Sequence, residues 1–191
     1  MSTTCRSILV AGLSGSEAAE AAVVSRILAN LQQRTLPDGV ELLDLGSRPS
    51  ALLGRLSSCD ALIIVDAAHV SDAPAGLLFD IDWHNPDRPQ LVSDAASAAD
   101  SHGSTLADQI ALAESLDYLP DIVRLVAITV GEGPLGSMIC PAVERQIPIA
   151  AQEVIMRCRK ILFGEPIKPL APRVDQQAFA PMKMDAMEEA S

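Results

Sequence analysis

The chain has 191 residues, 49% of them apolar, which suits one domain with a sizeable core. Its 25 acidic against 14 basic residues give a formal charge of −11, and phosphate backbones demand a basic face, so a nucleic-acid partner is excluded. Cys5, Cys59, Cys140 and Cys158 are scattered with no C-x-x-C pair and read as reduced thiols, while the apolar stretch Ile8 to Leu13 is too short for a signal h-region or a membrane span. The expectation is a soluble, cytoplasmic protein.

In chain order, Arg6 to Gly12 reads as a first strand and Glu17 to Gln33 as an Ala-rich helix carrying Val23, Val24, Ile27 and Leu31. Val40 to Asp44 is a short second strand that ends in an acid, and Ser50 to Leu56 a short helix. Asp60 to Asp66 is a third strand whose unbroken Leu/Ile/Val run suits a parallel strand covered on both faces. Gly76 to Ile81 reads as an edge strand and polar, proline-bearing Asp82 to Asp100 as a loop over the carboxyl rim of the sheet. Thr105 to Leu116 is a helix with Leu106, Ile110, Ala113 and Leu116 on one face. Ile122 to Val130 is a strand, and Pro141 to Leu162 a closing helix expected to bend or break near Pro148. This alternation predicts an α/β fold, a three-layer α/β/α sandwich with a mostly parallel central sheet, over residues 1–163. Residues 164–191, rich in proline and ending in acids, read as a flexible tail.

The absences narrow the chemistry. Gly12-Leu13-Ser14-Gly15 follows the first strand but is neither G-x-G-x-x-G nor a Walker loop. No G-x-S-x-G elbow is present, and no serine stands out as a partner for His69, His84 or His102. What remains is a set of carboxylates and an imidazole. Asp66 closes an apolar strand, on the rim where open α/β sheets bind ligands, and His102 precedes an amphipathic helix that would deliver it to the same rim. Together they make half of a metal site. Each residue also has a plainer reading: Asp66 as a cap or turn acceptor, His102 as an exposed loop histidine, and Asp44 as the acceptor of an Asx-turn. Glu17 completes a Ser14-x-x-Glu17 capping box, and Glu20 favours a helix dipole from the first turn.

The ordered pieces Ile8–Gly12, Val40–Ser47, Asp60–Ala67, Ala73–Gly76, His102–Glu114, Gly131–Pro134 and Pro141–Val143 resemble the hydrogenase maturation endopeptidases. The His102-Gly103-Ser104-Thr105-Leu106-Ala107-Asp108 segment is the most specific of them. The resemblance implies a nickel-dependent endopeptidase that removes the carboxyl-terminal extension of the [NiFe] hydrogenase large-subunit precursor after nickel insertion. It implies three metal ligands: an acid after the first strand, an Asp ending the third strand, here Asp66, and a His before the next helix, here His102. It assigns substrate recognition to the acid of an Asp-Gly-Gly-Thr element, here Asp44 of Asp44-Leu45-Gly46-Ser47.

The first ligand departs from the family pattern. An ungapped register from Gly12 to Arg26 puts Ala21 at the ligand position and Glu20 beside it. Glu20 is taken as the third ligand, with Glu17 the alternative if the backbone is already helical there. The implied metal is nickel delivered with the precursor, replaceable by other divalent ions. The implied partner is the precursor alone, with no nucleic acid or membrane, and the protein acts as a monomer. Two other readings stand beside the protease: a non-catalytic homologue that binds the large subunit as an assembly factor, and a small-ligand α/β protein using the Gly12–Gly15 turn.

Overall fold

A computed structural model describes residues 7–13, 18–46, 48–70, 73–85, 106–130 and 139–167. Its strands are β1 (Ile8–Leu13), β2 (Val40–Gly46), β3 (Ala61–His69), β4 (Leu78–Asp82) and β5 (Ile122–Val130). Its helices are α1 (Ala18–Gln32), the one-turn α2 (Leu53–Leu56, after a 3₁₀ turn at Pro49–Ala51), α3 (Leu106–Ser115) and α4 (Pro141–Phe163). Among the described residues the strands form one sheet in the order β2-β1-β3-β5-β4. The first four are parallel, and β4 pairs antiparallel with β5 at the edge.

The pleat divides the apolar strand residues between two cores. Ile8, Val10, Ile63, Val65, Val126 and Ile128 face α1 and α4, where Val24, Ile27, Leu31, Ile147, Val154 and Cys158 cover them. Leu9, Ala11, Leu62, Ile64, Val123 and Leu125 face the opposite way, against Leu52, Leu56, Leu106, Ile110 and Ala113. Ala61 to Val65 are wholly buried, as a strand sandwiched between helical layers requires. This is the expected three-layer sandwich.

Several local expectations change. β2 and β3 run past their acids, to Gly46 and His69, so neither Asp44 nor Asp66 ends its strand. The edge strand begins at Leu78, because Gly76 has φ of +86° and belongs to a turn. A Cβ on Gly76 would lie 3.0 Å from the Ala142 backbone, so glycine is required for this turn to pack on the start of α4. Helix α4 runs through Pro148 without a break. Pro148 and Glu144 are exposed, whereas Ile147, Ala150, Ala151 and Val154 are buried. The proline ring and the carbonyl it deprives of a partner therefore face water, while the packed face continues. The helix ends at Gly164 (φ +67°), with Glu165 N–H bonded to Lys160 C=O at 2.8 Å in a Schellman-type close. The expected tail from 164 lies outside the described residues beyond Ile167, as does the loop over the rim beyond Asn85.

Candidate functional site at the carboxyl rim

Four parallel strands bring their carboxyl ends to one rim. Gly12 lies opposite Asp44 on one side and Val65 on the other, so Asp44 and Asp66 share that rim with β1 between them. Two strand spacings separate their strands, roughly 10 Å. Asp44 has the parity of Val40 and Leu42 and belongs to the α1/α4 side; Asp66 has the parity of Leu62 and Ile64 and belongs to the α2/α3 side. The two carboxylates thus leave the sheet on opposite faces, an arrangement suited to separate tasks.

Asp66 is 3% exposed, and its Oδ1 accepts the Ala67 N–H at 2.8 Å, which fixes the carboxylate against its own strand. Asp44 is exposed, and its Oδ1 accepts the Gly46 N–H at 2.9 Å. This is the Asx-turn of the plainer reading. Gly46 holds φ of +56°, which explains a glycine at this place in the element, while Leu45 is buried in the core under α2 and α3.

The other expected ligands fall at the boundary of what is described. Helix α3 starts at Leu106, which is buried in the same cluster as Ile64 and Ala68, on the sheet face that carries Asp66. His102 lies just before it, outside the described residues. Helix α1 starts at Ala18, so Glu20 and Ala21 stand in its first turn, but the Glu20 side chain and all of Glu17 are outside the described residues. Among the described residues no three His, Cys, Asp or Glu side chains gather to hold a metal. Asp66 is the member of the expected donor set whose side chain is described, and a buried, anchored carboxylate on the rim suits that role.

The turn after β1 bears on the small-ligand reading. A Cβ on Gly12 would lie 2.5 Å from Leu28 Cδ1 and 2.9 Å from Val24 Cγ1. The space over Gly12 is filled by α1, so this glycine serves close strand–helix packing rather than a ligand cradle.

Two polar features escape a reading of the sequence. Thr129, fully buried on β5, donates its hydroxyl to Pro74 C=O at 2.7 Å and accepts Leu77 N–H at 2.8 Å, while its own C=O takes Gly76 N–H. The Ala73–Gly76 element is therefore latched to β5 and has a structural task. The second is a buried ion network. Asp80 on β4 binds Arg124 Nε of β5 at 2.8 Å and Arg157 of α4 at 2.6 Å, and Arg157 also binds Glu153 at 2.7 Å. Two acids balance two bases, so the cluster is formally neutral. The visible signal is Arg124, a lone charge within Ile122-Val123-Arg124-Leu125-Val126. It lies toward the amino end of β5, three residues before the level of Asp66, and joins the edge strand to α4 rather than serving the rim.

The hydrogenase maturation protease family model matches residues 25–157, a span that contains Asp44, Asp66 and His102 and begins after Glu20. The chain is 30% identical over 155 residues to the hydrogenase 2 maturation protease of Escherichia coli, covering 80% of this chain and 91% of that protein. It also resembles the solved hydrogenase maturating endopeptidase HybD of E. coli, with a TM-score of 0.68 and 28% identity over 87% of this chain and 98% of that one. At 15% identity, HybD from Thermococcus kodakarensis shares the fold with a TM-score of 0.60, covering 80% and 99% of the two chains. With the model matching most of its length, this chain belongs to the hydrogenase maturation protease family.

Proposed function

We propose that the protein is a nickel-dependent endopeptidase that removes the carboxyl-terminal extension of a [NiFe] hydrogenase large-subunit precursor once nickel is in place. The observation that carries this reading is Asp66: a buried, anchored carboxylate in the carboxyl-terminal half of a central strand, one position past the level of Gly12 on β1, in a chain of this family. Nickel enters as part of the substrate, held by the precursor's thiolates, and Asp66, His102 and a first-helix acid complete its surroundings with oxygen and nitrogen donors that nickel accepts. A divalent ion so placed polarises a carbonyl or activates water, which removes the need for a nucleophilic side chain. The chain's own part is to fix the Asp66 carboxylate through the Ala67 N–H and to present Asp44 at the surface for recognition of the precursor. The same reading takes the protein as a cytoplasmic monomer, and its formal charge of −11 fits a protein rather than a nucleic-acid substrate.

The first-helix acid is Glu20 or Glu17. Helix α1 begins at Ala18, and its backbone separates Glu20 from Ala21 by about 100° around the axis. Calorimetric titration of Ni²⁺ into Glu20→Ala and Glu17→Ala decides: the variant that loses binding names the ligand. Ala21 also motivates the second reading, an assembly factor that binds the precursor without cutting it. Nickel-loaded precursor incubated with the protein should lose the mass of its extension, while nickel-free precursor should stay intact. Binding without cleavage, with cleavage gained by Ala21→Glu, would establish the assembly factor instead.

A further inference from the structure

We propose that the outer edge of β2 is a strand-addition site, taken by an extended, basic stretch of the precursor next to the bond that is cut. The inference rests on the processing function above and names how the substrate chain is held.

The backbone sets the geometry. Ile8 lies opposite Val40, and its N–H bonds Gly39 C=O at 2.9 Å. Parallel pairing then turns the polar groups of Gly39, Glu41 and Leu43 toward β1, and those of Val40, Leu42 and Asp44 outward. The outward N–H and C=O groups of Leu42 and Asp44 take no hydrogen bond from the described residues. They form a short ladder that ends at Asp44, on the rim. Shallow apolar shelves flank it, with half-buried Leu36, Val40 and Leu42 continuing one core and half-buried Leu43 and Leu53 the other. Alternate side chains of an added strand would rest on each.

Charge selects the occupant. Asp38, Glu41 and Asp44 are exposed along this edge, and of these Glu41 is paired, with Arg55. A second copy of this chain would set like charges against one another, which is how edge strands avoid self-pairing. A peptide with basic side chains gains from the same acids. An added strand would lie three spacings from β3, roughly 14 Å, which about four extended residues can cross along the rim to reach Asp66.

The test uses Leu42→Pro, since proline is tolerated on an edge where the lost N–H faces outward. Nickel-loaded precursor is the probe. The variant should keep its fold by circular dichroism and raise KM for the precursor about tenfold with kcat little changed, the worth of a ladder bond and its neighbour. In the Asp66→Ala protein, which leaves the extension uncut, amide exchange at Leu42 and Asp44 should slow when precursor is added. This second measurement decides if the proline variant does not fold. Unchanged KM in a folded variant, or no added protection at these amides, overturns the proposal. So does protection that rises with protein concentration alone, which would mark the edge as an interface between copies. Should the wild-type protein leave the precursor uncut, the processing function fails, and the exchange measurement still reports whether this edge takes the precursor chain.

Discussion

Removing the Asp80 carboxylate should be among the most damaging single changes in the described fold. Its side chain is fully buried, accepts a hydrogen bond from Arg124 Nε at 2.8 Å and is ion-paired with Arg157 at 2.6 Å. Asp80→Ala leaves two buried guanidinium groups with Glu153 as the remaining buried acid of this network. Breaking a buried pair by deleting one partner costs about 3–5 kcal/mol, because the stranded charge has no water to return to. With a urea dependence of about 2 kcal/mol/M, the unfolding midpoint should fall by about 1.5–2.5 M. Trp83, the single tryptophan and 7% exposed, follows directly after β4 and reports the transition by fluorescence. Asp82→Ala is the control: it also faces Arg124, at 3.5 Å, but is 51% exposed, so it should cost under about 1 kcal/mol. A midpoint shift below about 0.5 M in Asp80→Ala, or equal shifts in the two variants, would refute the reasoning.

Two further substitutions test the packing that positions the rim. Gly12→Ala must displace Leu28 and Val24 of α1, and this overpacking should cost about 1–3 kcal/mol in the same urea assay; a neutral or stabilising result would show that α1 yields easily. Thr129→Val removes the acceptor of Leu77 N–H and the donor to Pro74 C=O in a fully buried place, at a cost of about 1–3 kcal/mol. Faster amide exchange at Leu77 in this variant, with the amides of β3 unaffected, would confirm that the latch is local.

The sheet was legible because its central strands announce themselves. Ala61 to Val65 and Leu125 to Ile128 are apolar without alternation, which fits strands covered on both faces. Asp66 was legible for the same reason, as an acid closing such a run. The Asx-turn at Asp44 follows from local chemistry, an Asp two residues before the Gly46 N–H it accepts. What sequence could not provide was pairing at long range. Arg124 in an apolar strand demands a partner, but that partner is Asp80, 44 residues away, and the second arginine comes from α4. The opposite faces of Asp44 and Asp66 depend on the strand register, which only the folded sheet supplies. Of the bend or break expected at Pro148, the break is absent, because a proline on the solvent side of a helix leaves the packed side intact.

The central claim is that the Asp66 rim carries the processing of the precursor. Its most direct measurement is the mass of nickel-loaded large-subunit precursor after incubation with wild-type protein and with Asp66→Asn, an isosteric change that keeps the Ala67 N–H bond and removes the charge. The account predicts loss of the extension with wild type and an intact precursor with the variant, with circular dichroism unchanged between them. Equal cleavage by a folded Asp66→Asn protein would contradict it.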